Sequence, residues 1–305
     1  VSPIEHAIQT LTRELRTRLD PQLSLELAWP SRRNMPPRAD HASARGCVIE
    51  LGLGPDPTAS TPSLWLDAGV AGALIDRALG GPGHPGLATL AAAPSDAELG
   101  VLAYLAARCA KALPPLWVHD VRTGPPACDD GAYILPCTVS FSQGRGVAQL
   151  TLPPHLAAPA SNLLLRVGVA DVLDAEDLAC LEPGDLLQGP SLQLLVTSAG
   201  LCGPCALQVP GLGIFEGLLD GTRARLRSSV RLSSPSTFVE LTRRSVSLTE
   251  LCDLGASGSI DVPPIEAPLR LFREGQEHAA CRLVRRGGEL ALRIEALTPS
   301  SSETR

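Results

Sequence analysis

The second half of the chain repeats itself, and that repeat limits the fold more than any other feature. Residues 163–187 read LLLRVGVADVLDAEDLACLEPGDLL, and residues 238–260 read FVELTRRSVSLTELCDLGASGSI. Each copy opens on a short extended run (163–169; 238–242). Each continues with Leu-x-x-Leu on one turn of helix, Leu178 and Leu181 in the first copy, Leu251 and Leu254 in the second. A Gly-polar pair, Gly184-Asp185 or Gly258-Ser259, then turns the chain into another strand. Further strands are expected at 192–197 and 205–209, then at 268–273, 278–285 and 289–295, with 226–237 (LRSSVRLSSPST) as the linker. A copy of about 70 residues has unpaired strand edges and too little core to stand alone. The two copies are therefore expected to pair, with the linker raising their effective concentration. The pattern places Val239, Leu241, Leu248, Leu251, Leu254, Leu269, Leu271, Leu283, Leu290, Leu292 and Ile294 in the pairing core.

The first half reads as α+β. Ile4, Ile8, Leu11, Leu15 and Leu19 fall on one face of a helix over 4–19. A polar, Pro-rich loop (31–46) leads to a strand at 47–54. Asp67 can cap the helix in DAGVAGALIDRALGG, which Gly80-Gly81 can end. Ser95 and Glu98 form a capping box for SDAELGVLAYLAARCAKAL, which Pro114-Pro115 stop. Residues 116–122, 132–141 and 146–152 are expected as strands of one antiparallel meander.

Composition narrows the partners. Aromatic residues make up 3% of the 305 residues and the net charge is −6, which argues against stacking on bases or sugars and against a phosphate-binding surface. Nine Cys without a regular framework suggest reduced thiols in a cytosol. The charged N-terminal stretch lacks the apolar core of a signal peptide, and no apolar run is long enough to span a bilayer. Lys111, the only lysine, follows no Gly-rich phosphate loop, and Gly52-x-Gly54 stops short of a dinucleotide fingerprint. The six His are spread singly. No catalytic, cofactor-binding or metal-ligating constellation is expected.

One motif points elsewhere. Cys202-Gly203-Pro204-Cys205 has the letters of a thiol–disulfide oxidoreductase site. Such a site needs its first Cys at a helix N-terminus, yet Ala206–Val209 followed by Pro210-Gly211 reads as a few extended residues and a breaker. The expectation is a hairpin with Gly203-Pro204 near its tip. Two thiols spaced as half a zinc knuckle also lack a second pair to close four ligands.

The second copy, in VSLTELCDLGASGSIDV (246–262) and APLRLFREGQEHAACRLVRRGGELALRIEAL (267–297), resembles a SpoA domain. This module is shared by flagellar motor-switch proteins and the C-ring protein of type III secretion. The first copy resembles the first SpoA domain of the same proteins, with LEPGDLL as its best part. ALIDRALGG followed by SDAELGVLAYLAARCAKAL resembles their middle region. Two tandem copies look like the secretion protein of the SctQ/YscQ/SpaO group.

The resemblance implies an α+β architecture: an N-terminal domain (1–155), a first SpoA-like domain (160–225), the linker (226–237), a second SpoA-like domain (238–298) and a disordered tail (299–305). It implies a non-enzymatic scaffold at the cytoplasmic face of the inner-membrane secretion apparatus, with no cofactor and no nucleic acid. Its partners would be an SctL-type stator protein of the secretion ATPase, an SctK-type adaptor, and further copies of itself or of its C-terminal SpoA fragment. The alternatives are a flagellar motor-switch subunit and a thiol–disulfide oxidoreductase at Cys202/Cys205. The stretch VSPIEHAIQTL is not expected to act as the peptide by which a flagellar subunit docks a response regulator, and Leu99 occupies the place of the Glu that related chemotaxis phosphatases need. In this family the stator lends a disordered N-terminal segment to the paired modules. Arg270, Arg273, Arg282, Arg285, Arg286 and Arg293 are expected on an outer face that steers this segment.

Overall fold

The computed structural model describes residues 3–32, 46–52, 54, 61–83, 94–113, 115–125, 130–157, 163–173, 177–178, 180–188, 192–232, 235–256, 258–287 and 289–298. The chain is α+β, with two antiparallel sheets among these residues. It divides into unit 1 (residues 1–161 with 247–252) and unit 2 (162–246 with 253–305).

Unit 1 holds helices α1 (Pro3–Arg18), α2 (Ala68–Ala78), α3 (Asp96–Lys111) and the single turn α4 (Pro154–Ala157). Its strands are β1 (Ser24–Leu27), β2 (Ser31–Arg32), β3 (Gly46–Gly52), β4 (Ser63–Asp67), β5 (Trp117–Thr123), β6 (Tyr133–Phe141) and β7 (Gly144–Leu152). The sheet runs β1-β6-β7-β4-β3-β5, with β2 also on β6. Along β6 every second residue, from Tyr133 to Phe141, is buried, as expected for a strand with one covered face. Helix α2 covers β3, β4 and β7, and α3 lies on β5.

The expected caps form. Asp67 accepts the Val70 N–H at 2.6 Å, and Ser95 and Glu98 close the capping box. The expected meander does not: β6 and β7 form a hairpin, but β5 pairs with β3 at the far edge. Helix α3 precedes β5 and packs on it, so local packing overrides sequence adjacency. Most of the expected loop 31–46 lies outside the described residues.

One buried carboxylate ties this unit together. Asp20, 1% exposed, accepts hydrogen bonds from the Ser142 N–H (3.0 Å), the Ser142 hydroxyl (2.8 Å) and the Gln22 N–H (2.9 Å), and pairs with the Arg77 guanidinium at 3.2 Å. Burial pushes its pKa upward, but the backbone bonds from Ser142 and Gln22, the hydroxyl and Arg77 together hold it at about 2. The segment 247–252 joins unit 1 through the Trp29 indole N–H, which donates to the Leu251 carbonyl at 2.8 Å. The Tyr133 and Thr249 hydroxyls also meet there, at 2.6 Å.

Unit 2 shows what the repeat builds. Copy one supplies β8 (Leu163–Ala170), β9 (Leu186–Leu187), β10 (Leu195–Thr197), β11 (Gly200–Val209), β12 (Gly213–Asp220) and β13 (Arg223–Arg231). Copy two supplies β14 (Thr237–Val246), helix α5 (Leu248–Gly255), which straddles the two units, β15 (Ser259–Asp261), β16 (Leu269–Arg273), β17 (Gln276–Arg286) and β18 (Glu289–Leu297). The strand order is β15-β13-β12-β11-β8-β14-β16-β17-β18-β9, with β10 on β11. Read from the central β8–β14 pair, each half mirrors the other. The short strand after each Leu-x-x-Leu crosses to the far end of the opposite copy: β15 pairs with β13, and β9 with β18. The copies thus pair by reciprocal exchange within one chain.

Several sequence expectations need correction here. Residues 226–231, expected as linker, are the body of β13, and 213–220 is a strand that was not expected. In RARLRSSVR the apolar signal is thin: Ala224 is buried while Arg223, Arg225 and Arg227 alternate outward. The helix expected around Leu178 and Leu181 lies partly outside the described residues, although both leucines are buried. The hairpin tip is Ser198-Ala199, between β10 and β11.

The central seam fixes its own composition. Any side chain at Gly168 of β8 would collide with the Val239 carbonyl and the Phe238 ring of β14. Glu240, 7% exposed at its side chain, sits 3.2 Å from the Arg166 guanidinium and 3.7 Å from that of Arg243. Arg166 also lies over the Phe272 ring, 4.6 Å from its centroid.

Candidate partner-binding groove

Nine of the eleven expected core positions are buried: Val239, Leu241, Leu248, Leu251, Leu254, Leu269, Leu271, Leu292 and Ile294. Leu248 and Leu251 lie in the segment that belongs to unit 1. The other two, Leu283 and Leu290, are only half-buried, because they line an open groove of about 550 Å3 in unit 2. Val196, Leu201, Ile265, Leu269 and Val284 add to its apolar lining, and Arg282 and Arg285 stand beside them. Copy one thus contributes its β10–β11 turn region, and copy two the segment before β16 and the end of β17.

The register explains why the groove is open. The β16–β17 ladder ends at Leu269 opposite Cys281, so β17 beyond Cys281 has β18 on one side and no strand on the other among the described residues. The backbone groups of 282–285 on that side form a strand edge next to apolar side chains. Nearby β10 exposes Leu195 (70%) and Val196 (46%). Exposed apolar groups beside an unpaired edge suit an extended segment that adds as a strand.

The six arginines do not share one face. Strand alternation and the pairing of Arg282 with Arg293 and Arg270 with Ala280 put Arg270, Arg282, Arg286 and Arg293 on one side of the sheet. Arg285 takes the other parity, and Arg273 sits at the β16–β17 turn. Arg270 pairs with Glu277 at 3.1 Å and Arg282 with Glu295 at 2.7 Å. No carboxylate lies within ion-pair distance of Arg285, Arg286 or Arg293 among the described residues. Of the six, Arg282 and Arg285 reach the groove.

The comparisons with known proteins reach only part of the chain. No protein-family model matches it, and no curated protein matches it. Solved structures give a distant structural similarity to flagellar switch and CheC-like domains. The FliM–SpeE complex from H. pylori overlays with a TM-score of 0.41 at 12% identity, covering 51% of this chain and 86% of that one. Thermotoga maritima FliY gives 0.38 at 12% identity, over 52% of this chain and 87% of that one. A CheC-like superfamily protein from Shewanella gives 0.31 at 10% identity, over 50% and 98%.

The thiol motif belongs to the architecture. Cys202–Cys205 runs inside β11, with no helix following. Residues three apart on a strand point to opposite faces, about 10 Å along the chain, too far for a disulfide without backbone movement. Burial pushes the Cys205 thiol up to about 12, the reverse of an activated thiolate. Gly203 is there because any side chain would meet the Gln193 carbonyl at 2.6 Å, in a backbone conformation (φ 143°) that favours glycine. Pro204 falls between the β10 pairing (200–202) and the β8 pairing (206–208), where one side of β11 has no ladder to lose. Among the described residues no His/Cys/Asp/Glu group could hold a metal, and no helix is long and apolar enough to cross a membrane.

Sequence reasoning missed β13. The face it shares with β12 and β11 carries Arg225, Leu218 and Pro204 in register, all exposed. The signal was the alternation Arg-Ala-Arg-Leu-Arg, whose period of two is that of a strand.

Proposed function

We propose that this protein is a structural scaffold of the cytoplasmic sorting platform of a bacterial type III secretion system. Its paired SpoA-like copies receive an extended segment of the ATPase-associated stator protein in the unit 2 groove, and an adaptor toward the membrane ring is its second partner. It acts at the cytoplasmic face of the secretion apparatus and carries out no catalysis.

The observation that carries this reading is the reciprocal exchange of β9 and β15, which builds one sheet from two copies and leaves an apolar groove beside Arg282 and Arg285. A scaffold needs rigid modules with unfilled edges, and this unit has both. A segment alternating apolar and acidic residues would extend the sheet along 282–285, place its apolar side chains against Leu283, Val284 and Ile265, and meet the two arginines.

The test is capture of the stator N-terminal segment by the full chain at low and high salt. Binding should weaken as salt rises. Leu283→Asp with Arg285→Glu should reduce affinity at least about tenfold, as expected for a central apolar anchor and a steering charge. Unchanged affinity and salt dependence in that variant would remove the groove from the account. Capture of a flagellar stator instead would move the protein to the motor switch.

A further inference from the structure

We propose that the outer edge of β5, in unit 1, is a self-complementary interface that pairs with β5 of a second copy of this chain. The inference is independent of the groove and of its occupant.

Strand β5, WVHDVRT, ends the unit 1 sheet, and no strand pairs with its outer side among the described residues. It is long for an edge, and half of the Trp117 surface (51%) is exposed at its start. Its charges complement each other in one antiparallel register. When two β5 strands run antiparallel about Val121, Asp120 of each faces Arg122 of the other, twice across the two-fold axis. Val121 meets its own copy.

The charges are available for this pairing. Asp120 and Arg122 are both exposed, and within the chain they are 3.9 Å apart, a loose pair. Arg122 also pairs with Glu50 of β3 at 3.2 Å, on the side away from the outer edge, so the partner's Asp120 would share a guanidinium that is already engaged. A second copy would add an Asp120 carboxylate to each Arg122. The bulge where β3 and β5 change register, between Glu50 and Leu51, leaves His119 outside the ladder and confines regular pairing to Asp120, Val121 and Arg122. Few strand residues take part, so the association is weak and concentration-dependent, of the small-interface class below about 1,200 Å2.

The charge pattern supplies the experiment. Sedimentation velocity of the full chain over a concentration series should show a monomer–dimer equilibrium. Asp120→Arg places Arg against Arg at both contacts, and Arg122→Asp places Asp against Asp. Each variant alone should lose about tenfold or more in self-association, the size expected for two like-charge contacts at a rim. An equimolar mixture restores both opposite-charge contacts and should dimerise as the unmodified chain does. This recovery cannot come from misfolded variants. A wild-type chain that stays monomeric throughout, or a mixture that behaves as its separate components do, would overturn the proposal.

Discussion

The two units bury their sheets in different ways. In unit 1, helices that adjoin the strands in sequence fold back on them: α2 follows β4 and covers it, and α3 precedes β5 and lies on it. In unit 2 the regular elements are strands apart from the end of α5, and the copies close on each other by exchanging β9 and β15 across the sheet. The helices of unit 1 are therefore placed by strands adjacent in sequence, although its sheet joins distant segments (β1 with β6, β4 with β7), whereas unit 2 needs both copies at once. The two buried acids mirror this. Asp20 is satisfied mainly by backbone and hydroxyl donors, whereas Glu240 depends on arginines at the seam between copies.

If the seam is what holds unit 2, the most damaging change lies there. Gly168→Val drives a branched side chain into the Val239 carbonyl and should cost more than about 3 kcal/mol, because the backbone cannot yield without opening the β8–β14 ladder. Denaturant unfolding followed by hydrogen exchange should show unit 2 losing protection while unit 1 keeps it. Equal loss in both would erase the distinction between them.

The next effect is electrostatic. Glu240→Ala leaves Arg166 beside a vacated, mostly buried position and should cost about 2–3 kcal/mol, less than a fully buried pair because Arg166 keeps some access to water. Equilibrium denaturation measures this, and a change below about 0.5 kcal/mol would mean that Phe272 stacking alone holds the arginine.

Unit 1 should respond to acid instead. Asp20 is held at about 2, below its ordinary 3.8, so its contribution is fully present above pH 4 and is lost as pH falls from about 4 to about 2. The amount is about 2–2.5 kcal/mol. Asp20→Asn should flatten that part of the stability–pH curve. A variant with the same acid transition as wild type would locate the transition in other carboxylates.

The smallest effect is expected at the motif that first suggested chemistry. Cys202→Ser should change stability by less than about 0.5 kcal/mol, as for surface substitutions generally. Cys205 should resist alkylation at neutral pH while the chain is folded. Rapid alkylation of folded Cys205 would revive a reactive-thiol reading.

The same division decides how much was legible in the sequence. Caps and helices of unit 1 could be read because each depends on residues within one turn, as Asp67 with Val70 and Ser95 with Glu98. The second copy could be read because its strands carry continuous apolar positions. The first copy was read only in part. Cys202-Gly203-Pro204-Cys205 carries two turn-forming residues inside a strand, placed there by a close approach of 193 and by a gap in the ladder. Strand β13 exposes arginines where an apolar run would have marked it. The groove was legible only as a contradiction, since Leu283 and Leu290 have the spacing of core residues but line a surface left open where β16 ends. No pattern in a single strand records where its neighbour stops.

Reciprocal exchange is the central claim, and cross-linking within the chain tests it most directly. Arg223 faces Asp261 across β13–β15, and Leu186 faces Arg293 across β18–β9, each pair exposed and drawn from different copies. Double-cysteine variants at the two pairs, with Cys180 and Cys202 replaced by Ser, are oxidised and run on non-reducing gels with a mass check. The account predicts that both bridges form within one chain, giving faster-migrating monomers at low protein concentration. Failure of both bridges, or bridging only between chains, would contradict it.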